Sequence, residues 1–525
     1  MESPFGWLSV LPPVVAISLA IVTRRVLVSL FVGIFVGALI FAQRDPPTVL
    51  FHCFETFLWT SLVDESHLRV LTFTLLMGAM IGVVRHSGGL SQVVEVVMRF
   101  ARTPRSAQLV AWLMGLLVFF DDYANTLLLG TTMRPLCDRL RVSREKLAYI
   151  VDSTAAPVAG LAMISTWVAG EIDYIETGLT GLAFAGGAPT GFELFVTTIP
   201  YRFYVLYALL LVPMVALTGR DFRAMLASEK RTRATPNSNP QTIASNDEQL
   251  AGARWFDAII PICVTIAGVL YLLIETGQRA IGDVPDTERT WMQIFGAADA
   301  YSALVYGSLA GLVIALLLVT LRKRLSVRQA QDAALEGAGQ MLPALAILWL
   351  SWSLSRVTST EFLGTGMVLG NLLNQAVSVA WLPTMVFLLA GGVSFCTGTS
   401  WGTMGILMPL VIQTAHKLIL SETGSVAVDD PILTATIGSV LAGAIFGDHC
   451  SPISDTTVLS SQASGCNHID HVRTQLPYAI TAGIVAIVCG TLPIGYGAPV
   501  WVTLVAGSFG LLVTLYGWGR PSASD

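Results

Sequence analysis

The chain has 525 residues, 54% of them hydrophobic and 12% charged, with a formal net charge of −5, and its mean hydropathy is +0.67. A soluble protein of this size carries about twice that charged fraction, and an acidic balance offers no electrostatic footprint for nucleic acid. Apolar blocks such as 257–275 and 301–321 are each near the roughly 20 residues one helix needs to cross a bilayer, and too long for barrel strands that alternate over about 10 residues.

The predicted fold is therefore an all-α polytopic membrane protein, and Lys and Arg in short loops set its sides. Span 1 (7–22) precedes Arg24 and Arg25, which places the N-terminus outside and this turn inside. No basic n-region precedes the span, so it reads as retained, not as a cleaved signal. Span 2 (26–42) leads outward, and span 3 (70–84) returns to a stretch with Arg85, Arg99, Arg102 and Arg105. The block 107–136 then ends at Arg139, Arg141, Arg144 and Lys146. Both of its ends carry a cytoplasmic signature, so it is expected to be either two short helices or a re-entrant hairpin that turns within the membrane, with FFDDYANT at its middle. Span 4 (147–169) is interrupted by Asp152, Ser153, Thr154 and Pro157 and is expected to reach an outside loop holding Glu171, Asp173, Glu176 and Glu193. Span 5 (200–218) leads back to the polar segment 220–254, the one obvious linker.

The second half follows the same course with opposite polarity. Span 6 (257–275), span 7 (301–321) and span 8 (341–355) precede a second hairpin block, 381–410, built around SFCTGTSWGT. Span 9 (432–462) is interrupted by GDHCSPISDTT, and spans 10 (476–494) and 11 (499–517) complete the chain, the last ending at Arg520. DDYANTLLLGTTMRPL resembles CTGTSWGTMGILMPL, and Asp152, Ser153, Thr154 and Pro157 have counterparts at Asp448, Ser451 and Pro452. Five crossings per half make the repeat inverted, an architecture in which discontinuous helices meet at the midplane. The expected organisation is a first repeat at 1–219, a cytoplasmic linker at 220–256, an inverted repeat at 257–496, and an extra span and tail at 497–525. In all this is about 11 full spans plus two hairpins, with the C-terminus cytoplasmic, in the cell (inner) membrane.

Four polar clusters interrupt these blocks: Asp121, Asp122, Asn125 and Thr126; Asp152, Ser153 and Thr154; Thr397, Thr399 and Ser400; and Asp448, Ser451, Ser454, Asp455 and Thr456. An ionised Asp at the bilayer centre costs at least about 2.5–3.5 kcal/mol, so such acids face a polar interior and are candidate site residues. Oxygen ligands suit a hard cation such as sodium, and a carboxylate holds either that cation or a proton, which is the core of antiport. The adjacent acids Asp121 and Asp122 are expected to titrate as a coupled unit. Plainer readings stand beside these: Asp121 and Asp122 as helix caps, Asp152 as a partner of Arg144 or Lys146, and His449 bonding a loop carbonyl. His468, Asp470 and His471 read as a solvated loop, and Trp167 and Trp401 as packing. The seven cysteines are scattered, with no metal spacing. No nucleotide loop, heme motif or zinc spacing is present, so an enzyme is not expected.

GDHCSPISDTTVLSSQASGCNHIDHVRTQLPYA (447–479), FFDDYANTLLLGTTMRPL and KLAYIVDSTAAPVAGLAMISTWVAGE resemble the signature elements of the NhaC-type sodium/proton antiporter family, within a wider superfamily of ion transporters. The resemblance covers most of 70–495. It implies sodium/proton exchange with transported Na+ and H+ and no cofactor, and a site lined by Asp121, Asp122, Asn125, Asp152, Ser153, Thr154, Asp448, Ser451, Ser454, Asp455 and Thr456. Relatives on a similar frame exchange malate and lactate or carry amino acids, which stands as the alternative. A non-transporting membrane sensor or structural subunit is the other class. Expected partners are a small cation, a proton and the lipid bilayer, with a homodimer as an admissible assembly.

Overall fold

The computed structural model describes residues 5–23, 25–42, 46–98, 101–185, 187–234, 254–282, 294, 297–359, 361–365, 368, 378–452 and 454–522. Among them nine helices are long and apolar enough to cross a membrane, or ten if the pair Gly191–Tyr201 and Phe203–Thr218, bent by 48°, is one span. Gly6–Ala20 and Val26–Phe41 are shorter apolar helices at the positions of spans 1 and 2. The chain is a polytopic helical membrane protein, as its composition requires.

Helix starts follow local chemistry. Asp64 accepts from the amides of Ser66 and His67 and opens Glu65–His86. Thr103 and Ser106 form a reciprocal capping box with Pro104 at the first helical position of Pro104–Leu117. Asp430 caps Pro431–Cys450 from the same kind of position before a proline. In each case a side-chain oxygen satisfies amides that the helix itself leaves unbonded.

The two hairpin blocks differ in length. Pro104–Leu117 and Asp122–Arg139 are the arms of the first. The second consists of Leu382–Thr397 and Ser400–Thr423, the latter extending 13 residues past the expected end at 410. Both second arms, counting the turn from Val379, are long and apolar enough to cross. Asp122–Arg139 carries Asp122, Arg134, Asp138 and Arg139 along 18 residues, whereas Ser400–Thr423 has only Lys417 and Glu422 among its ionisable Lys, Arg, Asp and Glu. Gly398, at φ 70°, makes the left-handed turn between the second arms.

Both expected helix breaks are present. Arg144–Thr154 stops at Ala155, and Ala156–Leu161 resumes with Pro157 near its start. Pro431–Cys450 stops at Ser451, and Asp455–Ser464 resumes behind the N-cap Ser454. A proline cannot donate an amide to the preceding turn, and the serine cap rewards a fresh start.

The centre of the molecule is the second hairpin and second broken helix. Over an apolar 18-residue stretch of each, Ser400–Thr423 and Pro431–Cys450 are 89% and 83% buried, against 33% for Ala300–Leu321 and 22% for Val500–Trp518. The first hairpin reaches this centre through a close approach: a Cβ on Gly115 would lie 2.2 Å from Thr154 Oγ1, so only glycine allows that packing.

Two segments depart from the sequence reading. Glu171, Asp173 and Glu176 lie in the helix Val168–Leu179, where Glu171 and Asp173 are buried instead of standing in an outside loop. Arg202 donates to Glu171 Oε2 at 2.7 Å and compensates one of them. The start of the expected linker is also structured: Arg223–Ala234 is a helix, and Glu229 accepts from the amide of Ser143 at 2.8 Å.

Candidate functional site

Asp152 occupies the last turn of Arg144–Thr154 and is fully buried. Its hydrogen-bond donors come from the far end of the chain. Thr457 Oγ1 donates to Oδ2 at 3.1 Å, Ser460 Oγ donates to Oδ1 at 3.2 Å, and the Gln475 amide donates to Oδ2. His471 Nε2 lies 3.5 Å from Oδ2. Thus Asp455–Ser464 and His468–Val485 both turn polar side chains onto one carboxylate of the first half. The plainer reading of Asp152 as an ion-pair partner of Arg144 or Lys146 does not hold, because Arg144 pairs with Asp138 and Lys146 with Asp221. Among the described residues no Lys or Arg forms an ion pair with Asp121 or Asp152.

The second break is tied to the same carboxylate. Gln475 Nε2 also donates to the carbonyl of His449 at 3.0 Å. Thr456 Oγ1 donates to Asp448 Oδ2 at 2.7 Å and lies 3.0 Å from Ser454 Oγ. Thr457 Oγ1, which serves Asp152, is 3.4 Å from the Asp448 carbonyl as well. His449 Nδ1 is 2.8 Å from the Tyr204 hydroxyl, and its Nε2 is buried with no hydrogen-bond partner. His449 therefore bonds a phenol and not a loop carbonyl. The side chain of Asp455 lies outside the described residues, and its backbone begins Asp455–Ser464.

The first hairpin contributes a neighbouring cluster. Asp121 caps Asp122–Arg139 by accepting from Ala124 N at 2.7 Å, and its other oxygen accepts from Thr166 Oγ1 at 3.0 Å. It is a cap, as the plainer reading had it, and also holds the segment after the first break. Asp122 is buried beside it. Asn125 Nδ2 lies within 2.8, 3.0 and 3.2 Å of the carbonyls of Gly115, Val118 and Thr154, so one amide gathers both hairpin arms and the broken helix. Its Oδ1 and the hydroxyl of Thr126 are buried without a hydrogen-bond partner. Ser153 is buried, and Thr154 Oγ1 donates back to Ile150 O.

The second hairpin is less engaged. Thr397 Oγ1 donates to Ser394 O at 3.4 Å, Thr399 Oγ1 accepts from Gly402 N, and Ser400 is buried in the first turn that follows. These are local contacts of a helix end and a helix start. The link to the second break is Ser451, whose hydroxyl donates to Phe395 O at 2.8 Å. Trp167 and Trp401 meet across the two halves with ring centroids 5.4 Å apart.

Sequence reasoning missed Thr166, Ser460, His471 and Gln475, whereas Thr457 ends the polar run GDHCSPISDTT that it singled out. His471 is a correction: with His468 and Asp470 it reads as a solvated loop, yet it is fully buried in His468–Val485. Among the described residues no three His, Cys, Asp or Glu side chains converge as metal ligands. The available signal was positional, since His471 and Gln475 are four apart and so share one helix face.

Residues 158–492 match the profile of the Na+/H+ antiporter family. The chain belongs to that family. An uncharacterized protein of Haemophilus influenzae is 32% identical over 514 residues, 97% of this chain and 94% of its own length. A further protein of the same organism, described as an uncharacterized Na(+)/H(+) antiporter, is 34% identical over 30% of this chain and 32% of its own. A malate-2H(+)/Na(+)-lactate antiporter of Bacillus subtilis is 30% identical over 34% and 35%. The crystal structure of the Alcanivorax borkumensis YdaH transporter superposes with a TM-score of 0.55 at 15% identity, covering 86% of this chain and 90% of that one. That likeness concerns the fold alone. The family match begins after Asp152 and includes Asp448, Thr457, His471 and Gln475.

Proposed function

We propose that this antiporter exchanges sodium for protons across the plasma membrane by alternating access, with Asp152 as the shared carboxylate. The observation that carries the reading is the surroundings of Asp152: a fully buried acid held by two hydroxyls and one amide, with an imidazole 3.5 Å away and no Lys or Arg paired with it among the described residues. A charge in a low-dielectric interior requires a counter-charge or protonation. Sodium and a proton then compete for one oxygen pair, and each crossing of one requires release of the other. Asp448, Thr456 and the carbonyls freed at the two breaks supply further hard oxygen ligands. Asp121, Asp122, Asn125 and Thr126 border them.

On this reading 1–219 and 257–496 are inverted repeats, the N-terminus is outside and the C-terminus cytoplasmic. The hairpins and broken helices form the moving unit. The outer spans, including Val26–Phe41 and Ala300–Leu321, are its support.

A second reading, exchange of small organic anions, draws on one feature: Arg134 Nε is buried in the first hairpin with no hydrogen-bond partner. A carboxylate substrate would need such a cation, whereas Arg202 is committed to Glu171.

Proteoliposomes with an imposed pH gradient, offered sodium, lithium, malate, lactate and arginine in parallel, test both. Proton-driven sodium uptake that Arg134→Gln leaves intact supports the first reading. Malate or lactate exchange that fails in Arg134→Gln overturns it in favour of the second.

A further inference from the structure

The C-terminal end of Val500–Trp518 closes on the segment that follows Phe203–Thr218. Arg220 pairs with Pro521 and Asp221 with Arg520 in a two-residue antiparallel bridge, and Ser522 N donates to Gly219 O at 3.0 Å. The Arg220 guanidinium donates to the carbonyl of Gly519 at 2.9 Å and lies over the Tyr516 ring. Beside this clasp is a cavity of about 330 Å³ lined by Phe222, Arg223, Gly517, Trp518 and Arg520.

The described lining of the cavity carries two guanidinium groups and no acid. Neither Arg223 nor Arg520 forms an ion pair among the described residues, and the nearby acid Asp221 is committed to Lys146 and to the Tyr478 hydroxyl, which donates to it at 2.7 Å. Both arginines are exposed, so their guanidinium groups are open to a ligand. The recess also lies at one end of a helix long and apolar enough to cross a membrane. Trp501, Val505 and Phe509 leave the outer face of Val500–Trp518 exposed, and Tyr516 and Trp518 at its end are 59% and 68% exposed. Aromatic residues placed this way mark the headgroup level.

We propose that this cavity binds the phosphate headgroup of an anionic phospholipid, from the leaflet at the C-terminal end of Val500–Trp518, and that its occupancy is transmitted to Asp152. Guanidinium groups match phosphate oxygens in charge and geometry, the apolar face of the helix takes the acyl chains, and Trp518 covers the glycerol level. Under the topology proposed above this is the cytoplasmic leaflet, where anionic lipids attract basic segments. The route inward is short. Phe222 lines the cavity and stacks on Tyr478 with centroids 4.1 Å apart at 19°. Tyr478 follows Gln475 by three residues on His468–Val485, and the Gln475 amide holds Asp152. Next to Phe222, Asp221 holds Lys146 on the helix that carries Asp152.

The test is a binding titration of detergent-purified full-length protein with fluorescent phosphatidylglycerol, with phosphatidylcholine and inorganic phosphate as separate arms. Saturable phosphatidylglycerol binding is expected at least about tenfold tighter than phosphatidylcholine, falling by roughly the same factor in Arg223→Gln/Arg520→Gln. Gly517→Phe keeps both charges and fills the cavity from a position where an added Cβ meets nothing within 4 Å, so it too should lose binding. Equal binding of the two lipids overturns the proposal, as does unaltered phosphatidylglycerol binding in both variants. Displacement by inorganic phosphate overturns a lipid as the ligand and assigns the cavity to the free anion. In vesicles, wild-type exchange should rise about threefold with phosphatidylglycerol while both variants stay insensitive; an equal rise in the variants overturns the link to Asp152. The binding arms do not depend on which ion is transported, so their failure is separate from failure of the sodium/proton reading.

Discussion

Two buried acids on either side of the first helix break have opposite neighbours. Glu171 meets a fixed cation: Arg202 donates to it at 2.7 Å, both side chains are 1% exposed, and the same guanidinium bonds the Gly160 carbonyl and lies over the Phe195 ring. Asp152 meets hydroxyls, an amide and an imidazole instead. A carboxylate with a permanent counter-ion is complete without any ligand and serves as a brace. A carboxylate among hydroxyls, an amide and an imidazole is positioned but has no Lys or Arg as a permanent counter-ion among the described residues, so its counter-charge has to be one that comes and goes. The Lys146–Asp221 pair, further toward the clasp, belongs with the braces.

The sharpest way to break this contrast is to neutralise each acid. Asp152→Asn should abolish exchange, by at least about a hundredfold in initial rate if the acid is the shared site, while the protein stays folded in the membrane. Sodium flux and thermal stability of the same preparation check it, and normal flux would move the site elsewhere. Glu171→Gln should do the reverse. It strands Arg202 in the interior, which costs roughly 3–5 kcal/mol, so the melting transition should fall steeply. Glu171→Gln/Arg202→Met should regain much of that stability, because it removes both charges.

Smaller changes sharpen the picture around Asp152. Gln475→Met removes a hydrogen bond to a charged group, worth about 1.5–3 kcal/mol. The ionised carboxylate is then less favoured against its protonated form, and the half-saturating sodium concentration should rise roughly tenfold in flux assays. Gly115→Ala places a Cβ 2.2 Å from Thr154 Oγ1. That overpacking should cost about 1–3 kcal/mol, read as lower thermal stability. The smallest expected effect is Thr457→Ser, which keeps the hydroxyl that donates to Asp152; its flux should stay within about twofold of wild type, while Thr457→Val should lose more.

Much of the frame was legible from the chain because its causes are local. Apolar length marks spans such as Phe256–Ala280 and Ala300–Leu321. Pro157 marks the first break and the Ser454 cap marks the second. The polar runs around Asp121, Asp152 and Asp448 pointed to buried acids, and all three are buried. The acids at 171 and 173 were misplaced because charge in a short segment reads as solvent. Tertiary packing instead covered the helix Val168–Leu179, and Arg202 compensated Glu171. His471 was misplaced for the same reason, since HIDH resembles a hydrated loop until another element covers one face. Thr397, Thr399 and Ser400 interrupt an apolar block as the acids do, yet the bonds they make serve a helix end and start.

By itself the sequence determined that this chain is helical and membrane-spanning, where its helices break, and which acids stand inside apolar blocks, because each of these follows from hydrophobic length and the bonding of a few adjacent residues. Only the tertiary structure decided which acids are braced and which are open. Thr457, Ser460 and Gln475 reach Asp152 across 305, 308 and 323 residues of chain. Hydrogen bonding depends on proximity in space, and proximity over such separations is set by how the helices pack, not by any pattern along them.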